Sequence, residues 1–454
     1  MMAPKFGTSG LRGLVVDLTE DLVTDHTRAF LATCDTGGRV FVGEDLRPSS
    51  PQIAHWVAQA ASAAGATVIR TGAVPTPALA LAAQGAGAVM VTGSHIPADR
   101  NGLKFYTCAG EISKQDEAAI TAALGAPAPR ATPGAISHDP GVGPAFVARY
   151  VEAFGPQALA GRRIGVHAHS AVGRDLLARA LRRCGAEVVE LGRSDSFIPV
   201  DTEAVEPEAR ALLADWARDH RLDSIVSTDG DSDRPMLTDA TGRVIPGDIL
   251  GQITAQALGA EVVVTPISSN SGVLDKGVGR VLQTRIGSPY VIAGMEAAGG
   301  RVIGYEANGG LLLGFEAQGP AGPLSPLPTR DSFLPIFAVL AEPGPVADRV
   351  AREPARVTAT GRLQDMDDAA MRGFVTALAE DAAARADFLS GLGQAEAALD
   401  LTDGVRMTTA EGLILHVRPS GNAPELRLYV EASDQDRADR LLKTGLAALA
   451  RAMA

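Results

Sequence analysis

Cysteine is scarce: Cys34, Cys108 and Cys184 stand far apart in 454 residues and are odd in number. That leaves no disulfide framework and no zinc-ligand spacing, and the three read as reduced thiols of a cytoplasmic protein. Long apolar runs are also missing. None reaches the ~18 residues of a membrane span, and Met1-Met2-Ala3-Pro4-Lys5-Phe6 lacks the apolar core of a signal peptide. No Lys/Arg cluster breaks the net charge of -12, a balance that repels nucleic acid and anionic lipid. The expectation is a cytoplasmic protein with neither nucleic-acid nor membrane partners. There is no G-x-S-x-G elbow to suggest acyl transfer.

What is present is an ordinary globular composition, 46% hydrophobic and 21% charged, with 50 glycines that imply many tight loops. The length suggests about three domains, with two to four compatible. Short β-branched runs alternate with Ala/Leu-rich helical stretches, the pattern of βαβ units around a mostly parallel sheet. Strands are expected at 39–42, 67–69 and 88–91, with helices at 51–64 and 76–84. The rhythm returns at 163–168, 172–184, 187–191 and 225–226, and again at 261–265, 281–284 and 301–303. After Glu342-Pro343-Gly344-Pro345 it changes: 405–407, 413–417 and 426–430 read as paired strands before a helix over 434–453. A further linker is expected from Ala126 to Pro140. These shifts divide the chain into residues 1–141, 142–246, 247–350 and 351–454, three related α/β units and a C-terminal α+β unit.

In each α/β cycle an apolar strand runs into a Gly-rich polar loop: Thr92-Gly93-Ser94-His95, Asp229-Gly230-Asp231-Ser232-Asp233-Arg234, and Gly304-Tyr305-Glu306-Ala307-Asn308-Gly309-Gly310. Ligands of open α/β sheets sit beyond the carboxyl ends of the strands, so three such loops can face one cleft. In the second, carboxylates two apart can turn their oxygens to one point, and hard divalent cations prefer oxygen ligands. Asp and Gly equally make solvated acidic turns. An EF-hand is excluded: counted from Asp229, the sixth residue is Arg234 and the twelfth Ala240, where Gly and a bidentate Glu are needed. Ser94, flanked by His95 with Lys104 downstream, is a candidate to accept and donate a phosphoryl group beside a metal. Two more loops look built for anions. Arg418-Pro419-Ser420-Gly421-Asn422-Ala423-Pro424-Glu425-Leu426-Arg427 offers a backbone nest with two guanidiniums, or a plain hairpin turn. The segment Phe6-Gly7-Thr8-Ser9-Gly10-Leu11-Arg12-Gly13 holds Arg12 among glycines and hydroxyls, or is a flexible start.

Taken in order, these motifs resemble those of the α-D-phosphohexomutases, the superfamily of phosphomannomutases, phosphoglucomutases and phosphoglucosamine mutases. Residues 6–13 resemble F-G-T-S-G-x-R-G, 92–97 T-A-S-H-N-P, 229–234 D-G-D-G-D-R, 304–309 G-E-x-S-G, and 418–427 R-x-S-G-T-E-P. The resemblance implies four domains around a central cleft, three α/β domains with mixed, mostly parallel sheets and a mobile α+β lid. It implies a phosphorylated Ser94, with Asp229, Asp231 and Asp233 holding one Mg²⁺ together with that phosphoserine. Arg12, His95, Lys104 and Arg234 would surround the transferring group, Lys104 moving the proton. Glu306 and Asn308 would meet the sugar, while Arg418, Ser420, Gly421, Asn422 and Arg427 would grip the phosphate that is not transferred. The implied partner is a small hexose phosphate, the activator a hexose 1,6-bisphosphate, and the assembly a monomer or weak dimer.

The sequence departs from these motifs at Gly93 for Ala, Ile96 for Asn, Ser232 for Gly, Asn308 for Ser and Asn422-Ala423 for Thr-Glu. None removes a carboxylate, Ser94 or an anion-binding Arg. Thr8-Ser9-Gly10 in place of Thr-Asp-Gly argues against the glucosamine branch, and residues 304–310 resemble the bacterial phosphomannomutase branch, with glucose or dual specificity as the alternative. A phosphatase using an Asp of the 229–231 strand end as nucleophile, and a non-catalytic sugar-phosphate binder, are the remote alternatives.

Overall fold

The computed structural model describes residues 4–7, 10–127, 131–420 and 425–453. Four main sheets follow one another along the chain. In the first, Thr67–Ala73, Arg39–Glu44 and Gly87–Val91 lie side by side and parallel. Arg100–Thr107 then returns antiparallel beside Gly87–Val91. The second repeats this plan with Glu187–Leu191, Arg163–His167 and Ser224–Thr228 parallel and Pro235–Leu237 returning. The third has Arg280–Thr284, Val262–Pro266 and Val302–Tyr305 parallel, with Leu311–Leu313 and Leu327–Asp331 antiparallel.

The shared topology explains the repeated loops. Each chemically loaded loop joins the third parallel strand to its antiparallel return, so all three occupy the same place in their sheets. Strands such as Gly87–Val91 and Ser224–Thr228 are buried along their whole length, as parallel strands covered by helices on both faces must be. The helix Ser50–Ala63 turns Ile53, Ala54, Val57, Ala58 and Ala61 inward at helical spacing.

One apolar cluster runs through all three α/β units, taking in Met90, Phe146, Tyr150, Phe333 and Phe337. The fourth sheet is wholly antiparallel, in the order Val357–Leu363, Leu426–Ala432, Ile414–Pro419, Val405–Thr409, Glu396–Asp400, and has its own cluster under the helix Gln435–Ala452. Its ties to the third unit include polar ones: Ser271 N–H donates to Glu431 Oε2 at 2.8 Å and Ile286 N–H to Asp403 Oδ2 at 3.0 Å.

The structure adds elements to the sequence reading. The expected linker 126–140 carries a strand, Ile136–His138, that extends the first sheet beside Thr67–Ala73. Val357–Leu363 and the wholly buried helix Phe333–Leu340 are further additions. Among the described residues no helix is long and apolar enough to cross a membrane.

Candidate active site

Ser94 lies just past the strand Gly87–Val91 in left-handed backbone, with φ 53°. Such a conformation costs a non-glycine residue roughly 1–3 kcal/mol and persists only where neighbours over-determine it. Ser94 N–H donates to Thr92 Oγ1 at 2.8 Å, and the buried hydroxyl donates to Asp229 Oδ2 at 2.6 Å. The first and second loops therefore meet at the Ser94 hydroxyl. His95 Nδ1 is 3.3 Å from the same hydroxyl. Arg234 above all, then burial and Arg12, push this imidazole far below its usual pKa, so it is neutral near pH 7.

The acidic loop is not a solvated turn. Asp229, Asp231 and Asp233 are fully buried, and one carboxylate oxygen of each lies within 4.8 Å of the others. Asp229 Oδ1 accepts the Asp233 and Arg234 N–H groups, each at 3.1 Å. Asp231 Oδ2 accepts Thr76 Oγ1 and Lys104 Nζ, both at 2.5 Å, and Asp233 Oδ2 accepts the same ammonium at 2.5 Å and Arg330 at 2.9 Å. Burial and the neighbouring carboxylates raise Asp229 well above the usual range. Burial also opposes ionisation of Asp231, but Lys104 overrides it and holds that carboxyl low. Ser232 takes the positive φ of 59° where the resembled motif has Gly; its Oγ accepts from Gly173 N–H and Thr228, which ties the turn down. Asp231 Oδ1 and Asp233 Oδ1 are buried without a hydrogen-bond partner. Buried, anionic, all-oxygen and unsatisfied, this donor set fits a hard divalent cation of the Mg²⁺ type.

Cations line the same space. Arg12 sits on Leu11–Leu14, paired with Gly102 two residues before Lys104. Burial, then Arg234 and Arg330, lower its guanidinium to about 10, so three like charges crowd one cleft and favour an anion among them. Arg330, on Leu327–Asp331, spans Asp233 and Glu306, whose Oε2 it meets at 3.4 Å. Thus Glu306 of the third loop joins the acidic-loop carboxylates through one guanidinium. Asn308 Oδ1 accepts the Gly310 N–H at 3.0 Å, so that oxygen shapes the loop.

The structure brings Arg12, Ser94, His95, Lys104, Asp229, Asp231, Asp233, Arg234 and Glu306 into one cluster. Arg418, Ser420 and Arg427 stand apart on the fourth unit. Arg418 Nε donates to Asp403 at 3.1 Å, Arg427 to Glu425 at 3.3 Å, and Ser420 N–H to Glu425 O at 2.8 Å. Gly421 and Asn422 lie outside the described residues. Sequence reasoning missed Arg330, Thr76, Asp45 and Arg47. Asp45-Leu46-Arg47 carried a usable signal, since it also follows an apolar parallel strand, Arg39–Glu44.

Comparison with known proteins covers the whole chain. Family models described as phosphoglucomutase/phosphomannomutase α/β/α domains I, II and III match residues 3–129, 146–242 and 246–342, and the C-terminal domain model matches 366–444. A Sinorhizobium fredii protein named phosphomannomutase is 44% identical over 99% of both chains. The structure of a Burkholderia thailandensis phosphoglucomutase/phosphomannomutase family protein superposes with a TM-score of 0.77 at 21% identity, covering 98% of this chain and 97% of that one. Aspergillus fumigatus N-acetylphosphoglucosamine mutase, solved with GlcNAc-6P and magnesium, shares the fold at a TM-score of 0.58 and 14% identity over 100% of this chain and 96% of its own.

Proposed function

Because the chain belongs to the phosphoglucomutase/phosphomannomutase family, we propose that it is an isomerase interconverting mannose 6-phosphate and mannose 1-phosphate through phospho-Ser94 and a hexose 1,6-bisphosphate. The observation that carries the reading is the 2.6 Å contact of Ser94 Oγ with a buried carboxylate triad inside a ring of guanidiniums. In the forward step the P–O bond to Ser94 breaks as a bond forms to the free sugar hydroxyl; the Lys104 ammonium gives a proton to the leaving Ser94 Oγ and takes the sugar hydroxyl's proton in its place. The bisphosphate then turns around. In the return step Ser94 Oγ takes the other phosphate, and the sugar oxygen recovers its proton. Arg12 and Arg234 hold the transferring oxygens in place, and neutral His95 donates or accepts a hydrogen bond at Ser94.

Asp229, Asp231 and Asp233 would hold Mg²⁺, which when bound neutralises charge on the transferring group. Glu306 and Asn308 are assigned to the sugar. Arg418, Ser420, Gly421, Asn422 and Arg427 are assigned to the distal phosphate, and hexose 1,6-bisphosphate to rephosphorylating spent enzyme. Division at 141, 246 and 350 is supported by sheets that each fall within one division.

Intact mass tests the scheme. The active enzyme carries one phosphoryl group that survives hydroxylamine, as a phosphoserine does and an acyl phosphate does not. Ser94→Ala loses both that mass and mutase turnover. Full activity in Ser94→Ala sinks the reading.

A further inference from the structure

Arg47 is buried to within 1% of complete exclusion from solvent, an expensive place for a guanidinium, and it spends nearly every donor on a single loop. Nη1 donates to Pro97 O at 2.7 Å and Arg100 O at 2.9 Å, and Nη2 to Ser94 O at 2.9 Å and Ile96 O at 2.6 Å. Nε is paired with Asp45 Oδ2 at 3.2 Å. The same Asp45 oxygen accepts Thr92 Oγ1 at 2.7 Å, and Thr92 Oγ1 accepts the Ser94 N–H at 2.8 Å. Both peptide groups of Ser94 are therefore fastened to one ion pair, the N–H through Thr92 and Asp45, the carbonyl through Arg47.

We propose that Arg47, oriented by Asp45, is a positioning residue for phosphoryl transfer that locks Ser94 in the backbone conformation aiming Oγ at the metal-loop carboxylates. The inference rests on the function proposed above.

Three further observations fit this arrangement. Ser94 has a positive φ that needs holding from both sides. A Cβ on Gly93 would lie 2.6 Å from Arg47 Cζ, so the approach of the guanidinium to the loop accounts for glycine where the resembled motif has alanine. Phe197, from the second unit, stacks 4.0 Å from the guanidinium, and its ring also borders Gly230 of the acidic loop. The clamp on the serine loop thus abuts the loop that receives its hydroxyl. Lysine cannot substitute, because one ammonium has three donors and no planar fork to reach four carbonyls and a carboxylate. A buried ion pair of this kind is weak evidence for stability, and what it does here is fix geometry.

The test is Arg47→Lys, assayed with mannose 1-phosphate and trace hexose bisphosphate. A misplacement of about 1 Å at a reacting group costs on the order of 100-fold. The expected result is a fall in kcat of about that size with KM within threefold, and an equal slowing of Ser94 phosphorylation by the bisphosphate, read by intact mass. Asp45→Asn keeps the shape and removes the orienting charge, and decides the matter if Arg47→Lys does not fold. A folded variant with kcat within threefold of wild type, or with a raised KM and unchanged phosphorylation rate, overturns the proposal. So does failure of both variants to fold, which leaves Arg47 a scaffold residue. Wild-type protein with neither phosphoserine nor turnover overturns the functional reading instead.

Discussion

Asp231 and Asp233 each commit one oxygen to Lys104 and leave the other without a hydrogen bond, and that asymmetry has consequences for metal-free protein. Free Mg²⁺ at about 100 times its Kd should add about 2.7 kcal/mol of stability. Chelation should abolish turnover and lower the melting temperature together, and Asp233→Asn should weaken Mg²⁺ at least about tenfold by titration calorimetry. Lys104 is the internal counter-ion to the same pair. Lys104→Met leaves the buried Asp231 without its ion-pair partner while Asp233 keeps Arg330, a loss of about 3–5 kcal/mol in metal-free protein, and should cut kcat by about 100- to 10,000-fold. Melting with and without Mg²⁺, beside a coupled assay, checks both effects. Saturating Mg²⁺ should recover part of the stability and none of the proton transfer. The three aspartates were legible in sequence because they fall within five consecutive residues. Arg330 was not: a lone Arg in Leu-Pro-Thr-Arg-Asp looks like any strand end, and only the fold carries it to Asp233.

At the scale of elements, the parallel strands could be read because burial on both faces favours apolar runs, continuous at 87–91 and cut to Ile225-Val226 at 224–228. The antiparallel returns could not. Pro235–Leu237 and Leu311–Leu313 are three residues each, too short for any periodicity, and Val357–Leu363 is half-exposed with Thr and Gly at its centre. Yet these returns position the site, since Arg330 reaches the cleft only because Leu327–Asp331 pairs with Leu311–Leu313. Gly310, at the end of the 304–310 loop, lets that strand close up: a Cβ there would lie 2.7 Å from Arg330 Cγ and Cδ. Gly310→Ala should cost about 1–3 kcal/mol through overpacking. It should also lower kcat/KM by about tenfold through displacement of the guanidinium from Asp233, with the Mg²⁺ requirement retained. Urea denaturation and steady-state kinetics separate the two effects, and an unchanged kcat/KM would deny Arg330 a part in the reaction.

Over the whole molecule, the first three units share one apolar cluster while the fourth has its own, so the fourth unit joins the others largely through polar contacts such as those at Glu431 and Asp403. Asp403 is a joint between them: Oδ2 accepts Ile286 N–H of the third unit, Oδ1 accepts Arg418 Nε, and its carbonyl accepts His416 Nε2 at 2.5 Å. His416 is buried, with Nδ1 unpartnered, stacked on Tyr429, and burial lowers it to about 4. An unfolded histidine titrates near 6.5. The folded state therefore binds less proton than the unfolded one between those values, so the stability His416 confers is complete above pH 6.5 and is lost as pH falls towards 4. The full span amounts to about 3 kcal/mol. Other groups titrate over the same range in both proteins, among them Asp248, which burial raises to about 6, so the effect must be read as a difference. His416→Gln should be less stable than wild type at pH 7.5, having surrendered packing and hydrogen-bond geometry. The gap should close by about 3 kcal/mol on going to pH 4, and hydrogen exchange at Ile414–Pro419 should report the closure in the fourth unit first. A gap that stays constant with pH would mean that His416 carries no titration-linked stability and that the joint at Asp403 is insensitive to acid.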